Sequence, residues 1–202
     1  MSDLIHISKG NIKTGAIPSF SLPSGITCSK EACATCYKEN CYAQKLERLR
    51  KTVRNAWSEN YQVATTDLPF LESYLDKFFS KPNAPRLFRI HVGGDFFSWD
   101  YFCMWIRIAV AHPQTRFLAF TKQTDIIRPT VFGALPKNFA LVLSAWPGVP
   151  LDEELRKRLP VAWVDDGKET RIPEDAIRCP GNCETCTSCW ALDGKDVVFK
   201  KH

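Results

Sequence analysis

The chain has 202 residues, 45% of them hydrophobic and 24% charged, with a formal net charge of +5. That balance describes one globular domain with enough apolar content for a real core, and excludes a disordered or low-complexity chain. No apolar run is long enough to span a bilayer. Residues 1–6 lack the basic start and long apolar stretch of a signal peptide, so the expected setting is a reducing cytoplasm with no membrane partner. The mild positive charge comes from scattered side chains such as Lys45, Arg48, Arg50, Lys51, Arg54, Arg156, Lys157 and Arg158, which belong on solvated helix faces. Nucleic-acid binding wants a denser basic stripe with interleaved aromatics; the charge leaves that partner open without arguing for it, and the sequence names no other.

Residues 1–27 are rich in Gly, Ser, Pro and Lys and read as an irregular arm or small hairpin. A helix is predicted over 43–61 and another over 68–79, where Leu71, Tyr74, Leu75, Phe78 and Phe79 recur at helical spacing before Pro82 and Pro85. An alternation follows. Residues 86–92 form a β-rich run ending at Gly93-Gly94, 101–111 a helix, 116–121 and 139–144 two more strands, and 161–164 a fourth ending at Asp165-Asp166-Gly167. Repeated βα units of that length suit a parallel sheet. A closed eight-unit barrel needs about 250 residues. The expected architecture is therefore α/β, a partial or open βα barrel-like parallel sheet with cysteine-rich loops at both ends. It forms a single domain, 1–202, with an arm and cysteine loop at 1–45, a βα core at 46–175 and a cysteine-rich segment at 176–202.

Functional groups in such sheets gather at the carboxyl ends of the strands. Here those ends carry His91 with Gly93, Gly94 and Asp95, then Thr121 with Lys122, then Ser144 with Trp146, then Asp165-Asp166. The glycines would let a backbone approach a ligand closely. Asp95 would accept hydrogen bonds from an amine or ribose, and Lys122 would meet a carboxylate or phosphate. The plainer alternative is a tight turn at Gly93-Gly94 and a helix cap at Asp95.

Eight of the nine cysteines form two tight groups. Cys28, Cys33, Cys36 and Cys41 have spacings x4, x2, x4 in a predicted loop just before a helix, whose N-terminus would offset thiolate charge. Cys179, Cys183, Cys186 and Cys189 have spacings x3, x2, x2, like a bacterial ferredoxin ligand run in reverse order, with Pro180 after the outlying cysteine and Trp190 placed to shield a cluster. In a reducing compartment such groups bind metal; in a secreted chain they would read as four disulfides. Soft thiolates suit [4Fe–4S] clusters, one or two here, with zinc as the alternative. Zinc ribbons pair two Cys-x2-Cys knuckles across about 15–20 residues, and no histidine falls inside either group. The ninth cysteine, Cys103, is expected in the core.

Several stretches resemble a known family. Asn11-Ile-Lys13-Thr-Gly15-Ala-Ile-Pro18, Ser21-Leu-Pro23, Thr27-Cys28, Cys41-Tyr-Ala43, Arg89-Ile-His91-Val-Gly-Gly-Asp95-Phe-Phe, Cys179-Pro and Cys186-x2-Cys189-Trp are similar to the phage gene product eighty-eight family. That resemblance implies a phage- or prophage-encoded protein made in a bacterial host cytoplasm. A more distant similarity is to radical S-adenosylmethionine enzymes, which pair a partial βα barrel with a three-cysteine loop and a Gly-Gly-Glu type turn. It would make Cys28, Cys33 and Cys36 the cluster ligands and Gly93-Gly94-Asp95 the contact to the methionyl amine of S-adenosylmethionine. This sequence departs from that pattern in its first x4 gap, in Cys41, and in Asp95 where Glu is usual. The combined expectation is an iron–sulfur protein of redox or radical S-adenosylmethionine type. The alternative is a zinc-stabilised nucleic-acid- or protein-binding module without catalysis.

Overall fold

The computed structural model describes residues 4–131, 135–147 and 149–200. Its frame is an eight-stranded mixed sheet in the order β1-β2-β3-β4-β5-β6-β8-β7, open rather than closed. Strands β1 (Ile7–Ser8) and β2 (Ser19–Phe20) form the antiparallel hairpin expected of the arm. Every other pairing is parallel, through β3 (Leu87–Ile90), β4 (Arg116–Thr121), β5 (Phe139–Ser144), β6 (Val161–Asp165), β7 (Ile177–Arg178) and β8 (Val197–Lys200). The four strands predicted in the core are all present. The C-terminal cysteine-rich segment, expected as a loop, supplies two further strands.

Between β2 and β3 run five helices: α1 (Lys30–Ala34), α2 (Cys36–Asn40), α3 (Tyr42–Leu49), α4 (Lys51–Thr66) and α5 (Leu68–Phe79). The single helix predicted over 43–61 is broken at Arg50, whose backbone is extended (φ −128°, ψ 97°), so α3 and α4 are separate. Residues 68–79 are helical as expected; Asp67 caps the first turn by accepting from Phe70 N at 3.0 Å, and Pro69 sits where a missing N–H costs nothing. Crossovers α6 (Trp99–Ala111), α7 (Thr124–Val131) and α8 (Glu153–Arg156) link β3 to β6.

The two sheet faces have different covers. Alternation along each strand sends Phe88, Ile90, Phe117, Ala119, Leu141, Leu143 and Trp163 toward the helices, where they pack with Leu71, Leu75, Phe79, Phe102 and Trp105 in the main core. Leu118, Val142, Ala162 and Val197 face the other way and are covered by Ile17, Trp190 and Leu192. Trp190 lies in a short 3-10 turn, Ser188–Trp190, and donates its indole N–H to Phe88 O at 3.4 Å. Asp196 clasps the same segment to the sheet, accepting from Val161 N at 2.8 Å and Trp163 Nε1 at 2.7 Å. The C-terminal cysteine segment is thus the cover of one sheet face. No helix among the described residues is long and apolar enough to cross a membrane.

Candidate functional site at the strand ends

β3 ends at Ile90; His91 follows in the left-handed region (φ 62°), and the chain bends at Gly93-Gly94. Both glycines answer to neighbouring protein. A Cβ on Gly93 would meet the Trp57 ring at 2.3 Å, and one on Gly94 (φ +77°) would meet Leu22 O and Thr27 Oγ1 at 2.7 Å. On the Cβ side the two glycines are packed against Trp57, Leu22 and Thr27. His91 is buried against Phe96, with Nε2 and the Tyr101 hydroxyl 2.9 Å apart. Burial, then the neighbouring Arg89 charge, pushes its imidazole down to about 3, so it is neutral at physiological pH.

Asp95 is buried and caps no helix; Ser98 caps α6 instead, accepting from Tyr101 N at 3.2 Å. The Asp95 carboxylate clasps the end of β4. Phe96 N donates to Oδ1 at 2.8 Å, Thr121 Oγ1 donates to Oδ1 at 2.7 Å, and Lys122 N donates to Oδ2 at 2.8 Å. Burial still outweighs these bonds and pushes the carboxyl up to about 6. The Lys122 ammonium reaches on to Ser144 Oγ at 2.9 Å, so Asp95, Lys122 and Ser144 form one polar row across the ends of β3, β4 and β5. Those three predicted residues are brought together. Asp165-Asp166 is separate: Asp165 accepts from Gly167 N and Arg178, which hold it below the usual carboxylate range, and Asp166 accepts from Lys168 N and Glu169 N in a tight turn.

The N-terminal cysteines stand beside that row. Thr27 Oγ1 accepts from Asp95 N at 3.0 Å, and Thr27 O accepts from Gln123 Nε2 at 2.8 Å, which pins neighbouring Cys28 to the ends of β3 and β4. The segment expected as a loop is largely helical: Ser29 caps α1, which carries Cys33; Cys36 opens α2; and Cys41 caps α3, its sulfur accepting from Gln44 N at 3.5 Å. Cys28 Sγ accepts from Gly25 N at 3.4 Å. Cys33 and Cys36 behave as thiols, donating to Gly25 O at 3.1 Å and Ala32 O at 3.4 Å. Burial, with the Asp95 charge next, pushes the Cys28 thiol up to about 12. Cys33 and Cys36 are also raised by burial, with Cys41 close enough to add to both and the Lys122 charge opposing at Cys36.

The C-terminal cysteines lie on the opposite cover. Cys179, Cys183 and Cys189 pack at the edge of the Trp190 cluster, and Cys179 Sγ accepts from Gly181 N at 3.4 Å. Burial pushes Cys189 up to about 11 and raises Cys183, while the nearby Arg89 charge opposes both. Cys186 is lowered by its bond with Ser188. All eight cysteines are free and partly buried. Cys103, expected in the core, is also only partly buried, on α6. Among the described residues no three His, Cys, Asp or Glu side chains stand together as a ready coordination shell. The sulfurs are grouped, each with a protein hydrogen-bond partner or a neighbouring thiol, but not gathered onto one point.

Thr27, Gln123 and Arg89 were not singled out as site residues from the sequence. Arg89 left a signal, a charge in an otherwise apolar strand, and Thr27 stands in one of the family motifs.

A family model described as Gene product 88 matches residues 5–193, a span that includes both cysteine groups and the strand-end row. The chain belongs to the Gene product 88 family. Among relatives of this family, the Gene 88 protein of Mycobacterium phage L5 is 35% identical over 198 residues, covering 90% of this chain and 81% of its own length. The Gene 88 protein of Mycobacterium phage D29 is 34% identical over 198 residues, covering 89% of this chain and 80% of its own. The resemblance read from the cysteine and Gly-Gly-Asp motifs is therefore correct at the level of the Gene product 88 family. No solved structure matches the chain.

Proposed function

We propose that this Gene product 88 protein is a cytoplasmic iron–sulfur protein whose N-terminal cysteines hold a [4Fe–4S] cluster at the carboxyl end of the sheet. A small polar ligand would lie beside it on Asp95, Lys122 and Ser144. The observation that carries this reading is the tether of Thr27-Cys28 to the ends of β3 and β4 through Asp95 and Gln123. Ligands of open parallel sheets collect at that end, and a cysteine group fastened there sits where bound chemistry is used.

The donor set fits such a centre. It consists of thiols alone, and Cys28 and Cys41 already accept backbone N–H bonds of the kind that support thiolate ligands. The S–H bonds of Cys33 and Cys36 to carbonyls are those of protonated thiols and would be given up on ligation. When bound, a cluster supplies one-electron chemistry. This chain's own residues then do the following. Lys122 offsets thiolate charge at Cys28 and Cys36. Ser144 holds the Lys122 ammonium, and Asp95 fixes the β4 end while offering a carboxyl that changes protonation near pH 6. The consecutive order β2 to β6 supports a partial-barrel reading, and S-adenosylmethionine, with its amine, carboxylate and ribose, is the ligand class suited to that row.

The test is purification without oxygen, followed by iron, sulfide and zinc analysis, visible absorption and titration with S-adenosylmethionine. Matched iron and sulfide, lost in Cys33→Ser and Cys36→Ser, support the reading. A colourless protein holding zinc overturns it in favour of a structural metal site in a binding module, to be followed by salt-dependent DNA affinity.

A further inference from the structure

Arg89 lies on β3 at an alternate position, with Leu87, on the sheet face that the C-terminal cysteine segment covers. Three contacts fix it. Its Nε donates to His91 O at 3.0 Å, its guanidinium carbon stacks 4.1 Å from the Phe120 ring centre, and Phe120 meets Phe199 edge-on at 5.7 Å. Lys13 extends the same arrangement, with its ammonium 4.6 Å from the Phe199 ring centre and its carbonyl accepting from Cys183 N at 2.8 Å. Two cations therefore line this face, seated on aromatic rings beside Cys183 and Cys189, and Arg89 is the first charged group that both of those thiols feel.

Among the described residues Arg89 forms no ion pair, although five other arginine and lysine side chains do. A partly buried guanidinium without a counter-anion is costly, and neutral thiols do not supply one. A divalent ion on four thiolates, or an oxidised cubane on four thiolates, carries two net negative charges, and either would. We propose that Arg89 is the counter-cation of a net-negative metal–thiolate centre formed by Cys179, Cys183, Cys186 and Cys189, a second site separate from the strand-end cysteines. This inference rests on reading the cysteine groups as metal ligands, and its consequence is specific. Arg89 is a positioning residue whose removal weakens metal binding without weakening the metal-free fold.

The experiment titrates reduced, metal-free full-length protein with cobalt(II), following thiolate-to-metal absorption, and records thermal unfolding of the metal-free form. Cys189→Ser and Cys33→Ser assign each phase of uptake to its cysteine group. Arg89→Met is expected to weaken the phase lost in Cys189→Ser by about tenfold or more. It should leave the phase lost in Cys33→Ser unchanged and unfold at no lower temperature than the wild type without metal. Arg89→Lys, which keeps the charge but not the fork, should fall between. If Arg89→Met does not fold, Arg89→Gln, which retains a donor toward His91 O, carries the same expectation. Equal cobalt affinity in wild type and variant overturns the proposal, as does a variant that loses affinity only in proportion to a weakened metal-free fold. Failure of the wild type to bind cobalt through either group overturns the metal reading itself and this inference with it, so the two failures are distinguishable.

Discussion

Asp95→Asn probes the strand-end row through the pH dependence of stability. The carboxyl is buried and ionises near 6 in the fold, against 3.8 for the reference group. Its folded pKa is raised, so the stability it contributes is fully present below pH 3.8 and is lost as pH rises through 6. The difference amounts to about 3 kcal/mol at neutral pH, of which about 2.5 kcal/mol is lost between pH 4 and pH 7.5. Asn cannot ionise, so its variant lacks this loss. It also sets an amide N–H₂ against either Lys122 N or the Phe96 N and Thr121 Oγ1 pair, a cost of about 1–3 kcal/mol that does not vary with pH. Urea unfolding of metal-free wild type and variant at pH 4 and pH 7.5 separates the two effects. The wild type's advantage at pH 4 should shrink by about 2 kcal/mol or more at pH 7.5. Parallel stability at both pH values would refute the argument that burial, rather than the three donated hydrogen bonds, dominates this carboxyl.

Other expectations follow from single sites. Trp190→Ala strips the cover from Leu118 and Val142 and should cost about 3–5 kcal/mol in urea unfolding, because the indole is buried between sheet and C-terminal segment. Gly94→Ala places a Cβ 2.7 Å from Leu22 O and Thr27 Oγ1 at φ +77°, and should lower stability by about 2 kcal/mol or more while disturbing the Cys28 tether, seen as reduced metal content. With Cys28 pushed up to about 12 and Cys189 to about 11, ligation must displace protons. Cobalt affinity measured between pH 6.5 and pH 8.5 should rise about tenfold per pH unit for each thiol proton released, and a flat profile would contradict thiolate ligation.

Arg89 shows how little of the electrostatics is legible in one dimension. It stands in a strand otherwise made of Leu87, Phe88 and Ile90, and nothing in that string says which charges lie opposite. Its neighbours Cys183 and Cys189 come from the far end of the chain, brought there by β8 pairing with β6 and by Trp190 packing across β4 and β5. The tethering roles of Thr27 and Gln123 were silent for the same reason, since a hydroxyl or amide takes its meaning from the backbone it meets.

The sequence by itself determined the α/β class, the four central strands, the helix at 68–79 and the two cysteine groups, because each rests on local periodicity or local spacing; the family came from the resemblance of its motifs. It also placed Asp95, Lys122 and Ser144 at strand ends, since parallel strands with βα crossovers put their carboxyl ends on one side. Only the tertiary structure decided that the helix over 43–61 breaks at Arg50 and that Gly93 and Gly94 pack against Trp57 and Leu22. It alone turned the C-terminal cysteine segment into strands and a cover for the sheet. Those outcomes depend on contacts between residues far apart in the chain, whose pairing energies no local pattern contains.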